Sequence, residues 1–113
     1  MREQRRFVRI PESTTVTYRL ATAAKMSDFL IKDLSVGGIR FYVHEFIPKG
    51  SVLKIGMTIG KEHFTFEAMV RVVWIKDDSR SQRYEVGAEF IEMTAEASNY
   101  LLQYIKATLK LNS

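Results

Sequence analysis

The chain has 113 residues, room for one domain of ordinary size, and no linker-like stretch divides it. A hydrophobic share of 46% with 7 Phe, 5 Tyr and 1 Trp describes a globular core, and the absence of cysteine excludes disulfides and cysteine-based zinc sites. The 17 Lys and Arg against 13 Asp and Glu leave a formal net charge of +4, which hints at an anionic partner but is too small for general nucleic-acid binding.

The first nine residues carry Arg2, Arg5, Arg6 and Arg9 and no lysine. They read as a flexible basic arm over residues 1–12, with a bend at Ile10-Pro11-Glu12-Ser13. Thr14 to Leu20 alternates apolar Val16, Tyr18 and Leu20 with polar Thr15, Thr17 and Arg19, the pattern of a half-buried strand. A connection over Ala21 to Ser27 leads to a second strand from about Asp28 through Leu34. Past Gly37-Gly38, Ile39, Phe41 and Val43 alternate with Arg40 and Tyr42 as a third strand. The loop His44 to Gly50 precedes a fourth strand on Leu53, Ile55, Met57 and Ile59.

The longest strand signal runs from about His63 to Lys76, with Phe64, Phe66, Ala68, Val70, Val72 and Trp74 on one face. An exposed tip over Asp77 to Gln82 leads to a sixth strand, Arg83 to Ile91, with Tyr84, Val86, Ala88 and Phe90 inward. Thr94 has the character of an N-cap with Glu96 in the first helical turn. Leu101, Leu102, Ile105 and Leu109 form the expected apolar stripe of a helix over 94–110. The expected fold is all-β with a terminal helix: six antiparallel strands over 13–92, closed as a small barrel or strongly bent sheet, plus one C-terminal α-helix.

Two segments carry recognisable chemistry. Arginine offers a planar fork of donors that pairs bidentately with a phosphate or with the O6/N7 edge of guanine, and its flat face stacks on a base. In Asp33-Leu34-Ser35-Val36-Gly37-Gly38, the two-residue spacing predicts that Asp33 and Ser35 share a solvent face while Leu34 is buried. Gly37 and Gly38 then give backbone freedom and close ligand approach. Taken singly, the first segment is an ordinary solvated terminus and the second an ordinary turn.

Together, in this order, they resemble the paired motif of the PilZ domains, bacterial receptors for cyclic di-GMP. That family shows an Arg-Arg-x-x-Arg segment on an N-terminal arm, here Arg5-Arg6-Phe7-Val8-Arg9, and an Asp/Asn-x-Ser-x-x-Gly segment on a barrel, here Asp33 to Gly38. The similarity continues through Arg71-Val72-Val73-Trp74 and Val86-Gly87-Ala88-Glu89-Phe90 into the helix. The resemblance implies a six-stranded split barrel and a binding function without catalysis or cofactor. Arg5 and Arg9 would grip guanine edges and phosphates and Arg6 would add charge or a contact. Asp33 would accept from a guanine or brace an arginine, Ser35 would bond the ligand or fix Asp33, and Gly37-Gly38 would make the close turn. Trp74 alternates with core residues yet ends a long strand, so core and ligand-facing roles both stay open. Gln4, where members that bind a stacked ligand dimer carry arginine, implies a single bound molecule, a point that Arg2 and Arg6 leave open.

A cytoplasmic receptor, monomeric or weakly dimeric, that signals to a separate, unidentified effector protein is therefore expected. There is no apolar run of about eighteen residues to cross a membrane and no signal-peptide core. The competing classes are a PilZ-type adaptor without nucleotide binding and a small basic barrel binding RNA or single-stranded DNA. Outward Glu67, Glu85 and Glu89 count against the last. His44 and His63 have no Cys or carboxylate cluster around them, and no nucleophile or phosphate-loop motif occurs, so neither a metal site nor an enzyme is expected.

Overall fold

In a computed structural model, residues 10–11, 15–20, 27–59 and 63–111 are described. They form β1 (Ile10–Pro11), β2 (Thr15–Leu20), β3 (Ser27–Leu34), β4 (Gly38–Val43), β5 (Val52–Ile59), β6 (Phe64–Asp78), a 3-10 turn at Ser79–Ser81, β7 (Arg83–Met93) and helix α1 (Ala95–Leu111). The protein is thus mostly β with one C-terminal helix. Seven strands are described where six were expected. The additional one is β1, which pairs with the edge of β3 at the place read as a bend. Pro11 lacks an N–H donor, and a short strand at a sheet edge is where that loss is tolerated.

All pairings are antiparallel, and they run from β2 through β3, β4, β7, β6 and β5 back to β2. Curvature of this degree needs irregularities, and three are present among the described residues. Lys32 is an extra residue between the Ile31/Phe41 and Asp33/Arg40 pairs, Val73 lies between Val72/Ala88 and Trp74/Gly87, and Ile91 lies between Val70/Phe90 and Met69/Glu92. Each inserted residue bends its strand and sharpens the local twist. It also reverses which side chains face inward, so Ile31 and Leu34, three apart, are both buried.

Inside the curve, alternate residues of β4, β5, β6 and β7 meet in one core, with Phe41, Leu53, Ile55, Val70 and Val86 fully buried. The loop after β4 is pinned by buried Ile47 and by hydrogen bonds from Gly50 N to Val72 O (2.8 Å) and from Val72 N to Ser51 O (2.9 Å). Gly50 has φ of 92°, which only glycine adopts without strain.

Thr94 caps α1 as expected, its Oγ1 accepting from Ala97 N at 3.1 Å. The buried stripe is Ala97, Leu101 and Ile105, whereas Leu102 and Leu109 are exposed, against the expected stripe that included them. Residues four apart stay on one helical face; Leu102 lies one residue, about 100°, away from that line, whereas Leu109 is on it but in the last turn of α1, past the buried Ile105. Tyr100 completes the contact, its ring stacked on Phe64 with centroids 4.2 Å apart. The helix also runs beside β1, so the start of the sheet and the end of the chain adjoin.

Candidate ligand-binding site

The Asp33 to Gly38 segment is a tight turn between β3 and β4, built by its serine. Ser35 N donates to Gly38 O at 2.9 Å. The hydroxyl accepts from the N–H groups of Gly37 and Gly38, both at 3.1 Å, and contacts Gly38 O at 3.3 Å. Ser35 is wholly buried, contrary to the expectation that it faces solvent beside Asp33. The reason is that strand alternation ends at Leu34, so the hydroxyl folds into the turn and satisfies donors that burial would otherwise strand. Gly38 is required by space: an added Cβ would lie 2.3 Å from the Ala88 carbonyl oxygen on β7. The backbone freedom expected of this glycine is not what it supplies, since the described glycine with positive φ is Gly50.

Asp33 faces outward yet is only 7% exposed, because Arg40, its direct partner on β4, covers it. Arg40 Nε donates to Oδ1 at 2.9 Å and Nη2 donates to Oδ2, a bidentate fork. The hydrogen bond to Asp33 holds the guanidinium above its already high ordinary pKa, against the opposing effect of burial. The same row continues across the sheet, since Arg40 pairs with Gly87 and Gly87 with Trp74. The Val73 bulge turns Trp74 out of the core series in which alternation placed it. Its indole lies on Gly87, and the residue is 36% exposed.

Beside this row lies a second set of charges. Lys32 Nζ donates to Glu85 at 3.0 Å, and this bond raises the lysine pKa above its usual value despite partial desolvation. Glu85 faces outward as expected but is buried, at 7% exposure. Arg83 stacks 3.7 Å over the Tyr42 ring and reaches Asp78 at 3.4 Å, with Lys32 also 6.0 Å from that ring. Among the described residues, no group of three or more His, Cys, Asp or Glu is placed to hold a metal. No helix among them is long and apolar enough to cross a membrane.

The register of β1 adds the last element. Ile10 pairs with Leu34 and Pro11 with Asp33, which fixes the chain immediately after Arg9 beside the turn. Arg5, Arg6 and Arg9 themselves lie outside the described residues, as do Arg2 and Gln4. Of the expected site residues, Asp33 and Trp74 share one outer row, Gly37 and Gly38 frame the turn, and Ser35 lies beneath it.

The sequence reading missed Arg40, Gly87 and the Lys32–Glu85 pair as parts of this surface. A lone glycine in the middle of an alternating strand was a usable signal for close approach. The pairing of Asp33 with Arg40 carried none, because it depends on a one-residue bulge.

The sequence profile of the PilZ domain matches residues 3–107, most of the chain. The chain is a PilZ domain. Among solved structures, the Bacillus subtilis inhibitor of motility MotI/DgrA matches with a TM-score of 0.79 at 24% identity, covering 95% of this chain and 52% of its own. The PilZ domain of YcgR from Escherichia coli, solved with c-di-GMP, gives 0.72 at 18%, covering 96% and 94%. MrkH from K. pneumonia, in its c-di-GMP complex, gives 0.68 at 16%, covering 96% and 53%. The PilZ domain spans about half the length of MotI and MrkH, and at these identities the likeness establishes the fold. No curated protein sequence matches the chain.

Proposed function

We propose that this PilZ domain is a cytoplasmic receptor for cyclic di-GMP whose arginine arm closes over the ligand and thereby alters the surface offered to a separate effector protein. The reading takes the six longer strands as the family's split barrel and assigns the chain no catalytic step. The single observation that carries it is the β1–β3 register. It anchors the residue after Arg9 opposite Leu34, which supports reading the arginine segment and the Asp33 to Gly38 turn as one site. Arg5 is five residues from that anchor, a reach of at most about 17 Å for extended chain.

The described surface explains why the arm is needed. Lys32, Arg40 and Arg83 are each engaged by an acid, namely Glu85, Asp33 and Asp78. Charge for two phosphates then falls to Arg5, Arg6 and Arg9, whose guanidinium forks suit both phosphate and the guanine edge. Asp33, held in a fork by Arg40, serves as the acceptor for guanine N–H donors, while Trp74 offers an exposed ring face. Ser35, Gly37 and Gly38 act by holding the turn. The neighbours solved with c-di-GMP, YcgR and MrkH, support the choice of ligand.

Isothermal titration calorimetry with cyclic di-GMP tests the reading. Saturable binding is expected from the wild type, with at least tenfold loss, about 1.4 kcal/mol, in Arg9→Ala and in Asp33→Asn. The fitted stoichiometry decides between one ligand molecule and a stacked pair. Absence of heat from folded wild-type protein would sink the proposal.

A further inference from the structure

Gly87 sits in the middle of β7, where a glycine ordinarily weakens a strand. Its presence is not explained by backbone conformation, because the described glycine in the left-handed region is Gly50. The core does not explain it either, since Val86 and Ala88 face inward and Gly87 faces out. What explains it is the indole of Trp74. A Cβ on Gly87 would stand 2.3 Å from both Cε2 and Nε1 and 2.6 Å from Cζ2 of that ring.

All three atoms belong to one rigid bicycle. The ring cannot yield by bending a flexible end, so any larger residue at 87 forces the whole indole off the strand. Three features are needed to set the ring there. The Val73 bulge turns Trp74 outward, the register places it opposite Gly87, and the missing side chain lets the ring reach across β7. On the far side of Gly87 the next residue in the row is Arg40, followed by Asp33. One face of the indole is therefore spent on Gly87, while 36% of the residue's surface remains open, in line with the clamped carboxylate.

We propose that Gly87 is a positioning residue: it fixes Trp74 as the stacking floor for a planar base whose polar edge meets Asp33. This inference rests on the receptor reading above. An aromatic face accepts any base by stacking, and the clamped carboxylate farther along the same row, past Arg40, selects for N–H donors. Gly87 acts on affinity only through the ring.

The chain has one tryptophan, so intrinsic fluorescence reports this ring alone. The experiment is a double-mutant cycle of Gly87→Ala and Trp74→Ala, titrated with cyclic di-GMP by calorimetry, with tryptophan emission and urea unfolding recorded alongside. Gly87→Ala is expected to stay folded with an unreduced urea midpoint, to shift the emission maximum, and to bind about tenfold more weakly. In the Trp74→Ala background the same substitution should leave affinity unchanged. Equal losses from Gly87→Ala in both backgrounds overturn the role, as does unaltered emission or wild-type affinity in the single variant. Absence of binding by the wild type overturns the receptor reading and the stacking role with it, whereas the other failures leave that reading intact.

Discussion

Arg40 closes a fork on both oxygens of Asp33, and the residue opposite a carboxylate fixes what that carboxylate can do. Removing the fork takes away the bidentate partner of a nearly buried carboxylate. Breaking a fully buried pair costs about 3–5 kcal/mol, but the Arg40 side chain is 34% exposed and water can replace part of it. We therefore expect Arg40→Ala to lower stability by about 1–2 kcal/mol in urea unfolding. Asp33→Ala and Arg40→Ala together should cost less than the sum of their separate costs, since each alone already removes the fork; additive costs refute this account. Ser35 works by the same logic on neutral groups. Ser35→Ala deprives the Gly37 and Gly38 N–H groups of their acceptor inside a closed turn. The expected cost is about 1–3 kcal/mol, with faster amide exchange at both glycines as the local signature.

At the level of elements, the strands were legible in the sequence and their interruptions were not. Alternation located β4, β5 and most of β6 and β7 because each has one face in the core, and a period of two is what half-burial writes into a strand. It failed at Trp74, Ser35 and the β1 segment. A bulge adds a residue without altering composition, so the inward series shifts parity at Val73 with no sign in the sequence. β1 is two residues long, too short for any period to show. The expected helix stripe fails at Leu102, where a leucine beside the buried line is no different in type from one on it, and at Leu109, which has the right spacing but lies in the last turn.

Turn strain supplies a prediction at this scale. Gln82, which leads from the 3-10 turn into β7, holds φ of 55°, a left-handed conformation costing a non-glycine residue about 1–2 kcal/mol. Glycine there avoids that strain but loses about 0.5–1 kcal/mol of backbone entropy on folding. Gln82→Gly should thus raise stability by roughly 0.5 kcal/mol, seen as a small upward shift in thermal midpoint. A lower midpoint would show that the glutamine side chain contributes more than its backbone strain costs.

Across the whole molecule, the Lys32–Glu85 bond ties β3 to β7 over the top of β4, with Tyr42 between them in the sheet. It links three strands of the curve on its outer side, opposite the core. The hydrogen bond from Lys32 to Glu85 raises the folded-state lysine pKa above its unfolded value of about 10.4. A raised pKa on a basic group means that the folded state binds its proton more tightly, so the pair's contribution is complete below the unfolded pKa. It is lost as pH climbs through the folded one. The prediction concerns a difference between proteins: Lys32→Met should be less stable than the wild type from pH 7 to about pH 10, and the gap should narrow above about pH 10.4. Urea midpoints measured for both proteins between pH 7 and pH 11.5 provide the test, because groups remote from Lys32 contribute equally to the two chains and cancel in the comparison. A gap that stays constant through the alkaline range would mean that Lys32 stabilises the sheet through its aliphatic stem packing rather than through its charge.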